Sequence, residues 1–205
     1  MRAGVIIGGL ALCGAVSASA QIKVDITGGI SQPMPIAIPA MPTPQQASTP
    51  AGDTTSLGGR VADVITADLK NSGLFSPLGP GSLRGVAFPQ VPSPDFAFWK
   101  TTGAQALVEV SVTANGNGTL SVDCYLFDVF AKQALAHQIY TVKPEFWRRT
   151  AHKCADLVYT RLTGEGPYFD SRVVYVSETG PKNNRIKRLA IMVTLCIFTF
   201  AKWII

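Results

Sequence analysis

Histidine is almost missing from this sequence: His137 and His152 are the only two in 205 residues. One falls in an expected strand and the other on an expected helix. Neither has a cysteine or carboxylate at metal-ligand spacing, so both read as structural or surface histidines rather than ligands. Charge is scarce as well, at 15% against 47% hydrophobic residues, which excludes a chain that is disordered throughout. The 18 basic and 13 acidic residues leave a net charge of +5. Part of that excess sits in Lys182, Arg185, Lys187 and Arg188, without the interleaved aromatics or reading motif of a nucleic-acid-binding surface. Apolar runs fall short of the ~20 residues that span a bilayer. A nucleophile elbow, a P-loop, a dinucleotide fingerprint and a zinc-protease helix are all absent. Gly58-Gly59 precedes a helix but lacks the surrounding pattern of an anion site, and reads as backbone relief. These absences leave no catalytic residue, no metal site, no cofactor and no small-molecule substrate to propose.

What is present centres on the stretch from Ala106 to Phe127. Leu107-Val108-Glu109-Val110-Ser111-Val112-Thr113 alternates at period two, and so does Leu120-Ser121-Val122-Asp123-Cys124-Tyr125-Leu126. Between them lies Asn115-Gly116-Asn117-Gly118, whose residues tolerate the positive φ of tight hairpin turns. The pattern predicts a β-hairpin with Val108, Val110, Val112, Val122, Cys124 and Leu126 facing a core. Buried, that face is worth on the order of 10 kcal/mol, so something must cover it.

The chain opens with Arg2, an apolar run from Ala3 to Val16, and Ala18-Ser19-Ala20 in small-x-small form, which reads as a secretory signal peptide cleaved after Ala20. The leader takes only Arg2 among the charges, leaving +4. Cys13 followed by Gly14 permits a lipoprotein reading, which nothing else favours. Gln21-Ile22-Lys23-Val24-Asp25-Ile26-Thr27 then alternates up to Gly28-Gly29. It is a strand that either completes its own sheet or pairs with a partner by β-augmentation. Pro35 to Pro39 predicts a further strand, and Met41 to Gly52 a loop.

Leu57, Val61, Val64, Ile65 and Leu69 recur at helical spacing, with N-caps offered by Asp53 to Ser56 and a stop at Asn71-Ser72-Gly73, predicting a helix over 58–71. Arg60, Asp63, Asp68 and Lys70 fall mostly on its wet side. Leu74 to Leu78 predicts a short strand, Phe96 to Lys100 a brief helix opened by Ser93-Pro94-Asp95, and Ala134 to Val142 a third antiparallel strand. Pro144-Glu145 opens the strongest helix. Trp147, Ala151, Cys154, Val158 and Leu162 mark its apolar face, Arg148, Arg149, Lys153, Asp156 and Arg161 its opposite side, and Gly164 ends it. The fold class is α+β: a mixed, mostly antiparallel sheet covered on one face by two amphipathic helices. Cys124 on the sheet and Cys154 on the covering helix project into one layer. Two buried thiols are the preferred reading and a disulfide the alternative.

Several blocks together resemble the TolB family of the Tol-Pal envelope system of Gram-negative bacteria. They are the signal peptide, Pro35 to Pro39, Gly58-Gly59-Arg60-Val61 through Asp68-Leu69-Lys70-Asn71-Ser72-Gly73, then Trp99, the Asn-Gly hairpin, Trp147-Arg148 to His152, and Leu162-Thr163-Gly164. Phe169 to Val176 and Lys187 to Met192 are similar to the first propeller strands of that family. The resemblance implies an N-terminal α/β domain, at 21–166 here, followed by a six-bladed propeller, of which 167–192 would be a remnant of the first blade. It also implies that the mature N-terminal strand, Gln21, Ile22, Lys23, Val24, Asp25, Ile26 and Thr27 in this chain, binds the inner-membrane protein TolA. Contacts to the lipoprotein Pal lie on the propeller and do not transfer, because this chain has no complete β-propeller.

The segment 193–205 departs from the family pattern and is expected to be an aberrant hydrophobic tail left by a frameshift or truncation. Its rival reading is a membrane anchor, since Leu189 to Ala201 is apolar and follows basic residues. The functional expectation is a periplasmic, non-catalytic, protein-binding component of the Tol-Pal system that supports outer-membrane integrity, cell division and protein import. The alternative is a C-terminally anchored adaptor of a different envelope or import complex.

Overall fold

The computed structural model describes residues 32–179 and 186–193. Strand β1 (Met34–Ala37) comes first. Pro39 cannot donate to a ladder and ends the strand, yet the next residues run on beside the sheet. The Val110 N–H donates to Met41 Sδ at 3.2 Å, and the Val112 N–H donates to the Pro42 carbonyl at 3.3 Å. The stretch expected to be a loop contains a small hairpin, β2 (Ser48–Thr49) and β3 (Gly52–Asp53). Asp53 then caps α1 (Thr54–Asn71), its carboxylate accepting the Thr55 N–H. The helix starts a turn earlier than expected because the first of the candidate caps is the one used. Gly58 does serve close approach: a Cβ there would lie 2.3 Å from the Met41 carbonyl oxygen.

After β4 (Phe75–Leu78) comes the short helix α2 (Phe96–Thr101), capped by the Asp95 carboxylate, which accepts from the Ala97 and Phe98 N–H groups. Strands β5 (Ala106–Ala114), β6 (Leu120–Asp128) and β7 (Gln133–Val142) follow as a meander. A single turn of 3-10 helix leads into α3 (Trp147–Thr163), which Gly164 ends in the left-handed region at φ 80°. Strands β8 (Arg172–Thr179) and β9 (Ile186–Val193) pair antiparallel in a sheet of their own. The residues similar to the first propeller strands therefore form a hairpin, and 194–205 lie outside the described residues.

The main sheet has the order β4-β1-β5-β6-β7. β1 runs parallel to both β4 and β5, while β5, β6 and β7 are antiparallel neighbours. Val108, Val110 and Val112 pair in register with Leu126, Cys124 and Val122, the face that period two predicts. Helices α1 and α3 cover that face, and Val110, Val122 and Val158 share one interior with Leu57, Ile65 and Leu162. On the other face, a second cluster of the described residues covers one corner. There Ala37, Leu107 and Phe127 pack under Trp99 of α2 and Leu83.

Three expectations are corrected. Asp68 does not sit in water but is buried, its carboxylate 2.6 Å from His152 Nδ1 across α1 and α3. Asp156 is buried as well, because the chain leaving α3 folds back over it. Cys124 and Cys154 form a disulfide, with Cα atoms 6.1 Å apart, where two thiols were preferred. Once α3 docks on β6, the two side chains meet within bridging range.

Candidate functional site

The expected partner-binding residues 21–27, and Ala18 and Ala20 of the expected cleavage site, lie outside the described residues. The structure gives the frame to which they attach. Residues 32–33 lead into β1, which has strand neighbours on both sides, so the described chain enters the sheet at an interior strand. The two sheet edges differ. On β4, the Leu74 and Leu78 carbonyls accept from Met34 and Ile38 at 2.9 Å, so the alternate residues Phe75 and Pro77 turn their backbone outward. Pro77 has no N–H to offer there, and the strand has only four residues, which closes this edge to a further strand. β7 has ten residues and no proline.

The chain leaves α3 through a pinned junction. The Asp156 carboxylate accepts the N–H groups of Tyr168, Phe169 and Asp170 at 2.8 to 2.9 Å. Arg149 donates its Nε–H to both oxygens of Asp170, at 2.9 and 3.1 Å. Phe169 is buried against Tyr159, ring edge to ring face. Burial and the Asp156 charge raise the Tyr140 hydroxyl above its ordinary value, and burial likewise raises Tyr168. Sequence reasoning missed this junction, because the residues that Asp156 holds are reached only through backbone N–H groups, which leave no side-chain signature.

Glu109 lies on the sheet face opposite the main core, 1% exposed, with neither carboxylate oxygen hydrogen-bonded. Burial pushes its acid up to about 8; the Trp99 indole acts weakly in the other direction, without reaching hydrogen-bond geometry. Beside it on the same face, Tyr125 stacks on His137 at 3.9 Å, and His137 Nε2 lies 2.6 Å from Asp123. The second histidine, 3% exposed, leaves Nε2 without a partner. Two histidine–aspartate pairs thus exist where the sequence suggested isolated histidines. No group of three or more metal-ligating side chains occurs among the described residues. This geometry offers strand edges and a fixed exit.

Comparison with known proteins agrees in kind. A family model described as the TolB amino-terminal domain matches residues 22–135. The Tol-Pal system protein TolB of Rhizorhabdus wittichii is 70% identical over 178 residues, covering 87% of this chain and 40% of that protein. Its counterpart in Zymomonas mobilis is 65% identical over 171 residues, covering 83% and 37%. The chain therefore spans about two fifths of the length of these curated relatives. Among solved structures, TolB from Acinetobacter baumannii superposes with a TM-score of 0.59 at 21% identity, over 84% of this chain and 39% of that one, a likeness of fold.

Proposed function

The chain belongs to the TolB amino-terminal domain family, and from that premise we propose that it acts as a non-catalytic, protein-binding component of the Tol-Pal envelope system in the periplasm. In this reading its leading segment, residues 21–27, is the part that engages the inner-membrane protein TolA. One observation carries the proposal. The family match begins at Ile22, one residue beyond the expected mature N-terminus, which supports reading the alternating segment as part of the domain rather than of the leader. The closed β4 edge supports the same reading, because it deprives that segment of the nearest place to pair within its own sheet. The disulfide between Cys124 and Cys154 supports export, since such bonds persist in oxidising compartments. We read 21–166 as the binding domain and 167–192 as the opening hairpin of a following unit.

The experiment is a pull-down of the periplasmic domain of TolA by the full mature chain and by a chain lacking residues 21–29. Retention by the first and loss by the second is the expected result. Equal capture by both defeats the leading-segment mechanism.

A further inference from the structure

The open edge of the sheet carries a groove of its own. Ile139, Tyr140, Thr141 and Val142 of β7 line it together with Lys143, Phe146, Arg149, Thr150 and Lys153, around about 480 Å³. Consecutive strand side chains point to opposite faces, so a groove touched by four in succession runs along the strand's outer edge. The backbone on that side is partly occupied by the protein's own side chains. Leu135, the extra residue of a bulge opposite Leu126 and Phe127, gives its carbonyl to Arg161 Nε at 2.9 Å. The Gln138 side-chain amide donates to the Ile139 carbonyl at 3.1 Å, an acceptor that a paired strand would otherwise use. Period two then puts the backbone of Thr141 on the same side. Two of the exposed large hydrophobic residues flank this stretch, Ile139 at 51% and Phe146 at 50%.

We propose that the Ile139–Val142 edge, with Lys143, Arg149 and Lys153 beside it, is a second docking site that takes an extended, acidic segment of another protein as an added strand. The charge argues for that occupant. Among the described residues, three cations line the groove and no carboxylate does; Asp170, just outside it, holds Arg149 and lies 4.0 Å from Lys153. A second copy of this chain would bring the same cations against themselves, and residues 21–27 carry one Lys and one Asp, with no net charge to match. The site is separate from the leading segment, so its test is independent of the one above.

The probe is a fluorescein-labelled octapeptide alternating threonine and glutamate, compared with its threonine–lysine counterpart, titrated into the full mature chain by fluorescence anisotropy. The acidic peptide is expected to bind more tightly than about 1 mM and the basic one not to bind. Thr141→Pro removes one outward N–H from an edge strand that tolerates proline, and K143E/K153E reverses the charge without touching the core. Each is expected to weaken binding about tenfold or more. Deleting residues 21–29 is expected to leave it unchanged, and hydrogen exchange at Thr141 is expected to slow with peptide bound. Absence of acidic-peptide binding, equal binding of both peptides, or full binding by the charge-reversed chain overturns the proposal. Self-association of the chain that Thr141→Pro abolishes would assign the edge to a second copy and also overturn it.

Discussion

Single residues carry the least visible features of this domain. Glu109 is a carboxyl kept in an apolar layer without a partner, and its acid is pushed up to about 8. An unfolded chain loses that proton near pH 4.5 and the folded chain holds it, so folding takes up a proton between about pH 4.5 and 8. Stability therefore falls as pH rises across that window, by about 3 to 5 kcal/mol in all, and is flat above it on this account. Glu109→Gln, neutral and nearly the same size, should remove the dependence and be the more stable protein at pH 8, as urea melts at pH 5 and 8 would read. A melt of the variant that keeps the wild-type slope with pH contradicts the assignment. Asp156 works oppositely, satisfying three backbone N–H groups at once. Asp156→Ala should cost about 2 to 4 kcal/mol and speed hydrogen exchange at Tyr168, Phe169 and Asp170, whereas unchanged exchange there would mean that the junction is held by Arg149 and Asp170 instead. The sequence discloses neither role. Glu109 alternates as a solvent-facing strand residue should, and only the sparsely patterned stretch ending in α2 dries its surroundings. Asp68 and His152 are 84 residues apart and meet only when two helices share a sheet.

Elements were far more legible, and the reason is local agreement. The β5–β6 hairpin follows from period two plus Asn-Gly turn chemistry, and the six side chains expected to face a core all do. Helix α3 is equally plain, since its apolar stripe, its Pro144 start and its Gly164 stop all point the same way. The parallel pairing of β1 with β4 and β5 was not legible, because strands of four residues carry little pattern and their partners lie beyond an intervening helix. The disulfide stands between these cases. Both cysteines were placed in one layer, but whether they bridge depends on how α3 settles on β6. With its ends 30 positions apart in sequence, the bond should contribute about 3.5 kcal/mol by restricting the unfolded chain. Reduction, or C124A/C154A, should lower the urea midpoint by a corresponding amount with the fold retained. An unchanged midpoint would show that the bridge is not formed in the native protein.

At the scale of the whole molecule, a sheet roofed on one side by two helices spends its chemistry on structure. One buried and one exposed histidine each meet an aspartate, the aspartate of α3 holds the exit, and one sheet edge is closed by proline. On the proposals above, function falls to backbone hydrogen bonding at the leading segment and at the β7 edge. If the leading segment serves a partner, as proposed, removing residues 21–29 should leave the thermal midpoint within about 2 °C of the full mature chain, read by circular dichroism. A larger drop would place that segment inside the domain's own packing and withdraw it from partner binding. The most direct measurement is therefore isothermal titration of the TolA periplasmic domain into the full mature chain, repeated with a synthetic peptide of residues 21–29 as competitor. The account predicts binding that the free peptide displaces; binding that persists at saturating peptide, or no binding by the full chain, contradicts it.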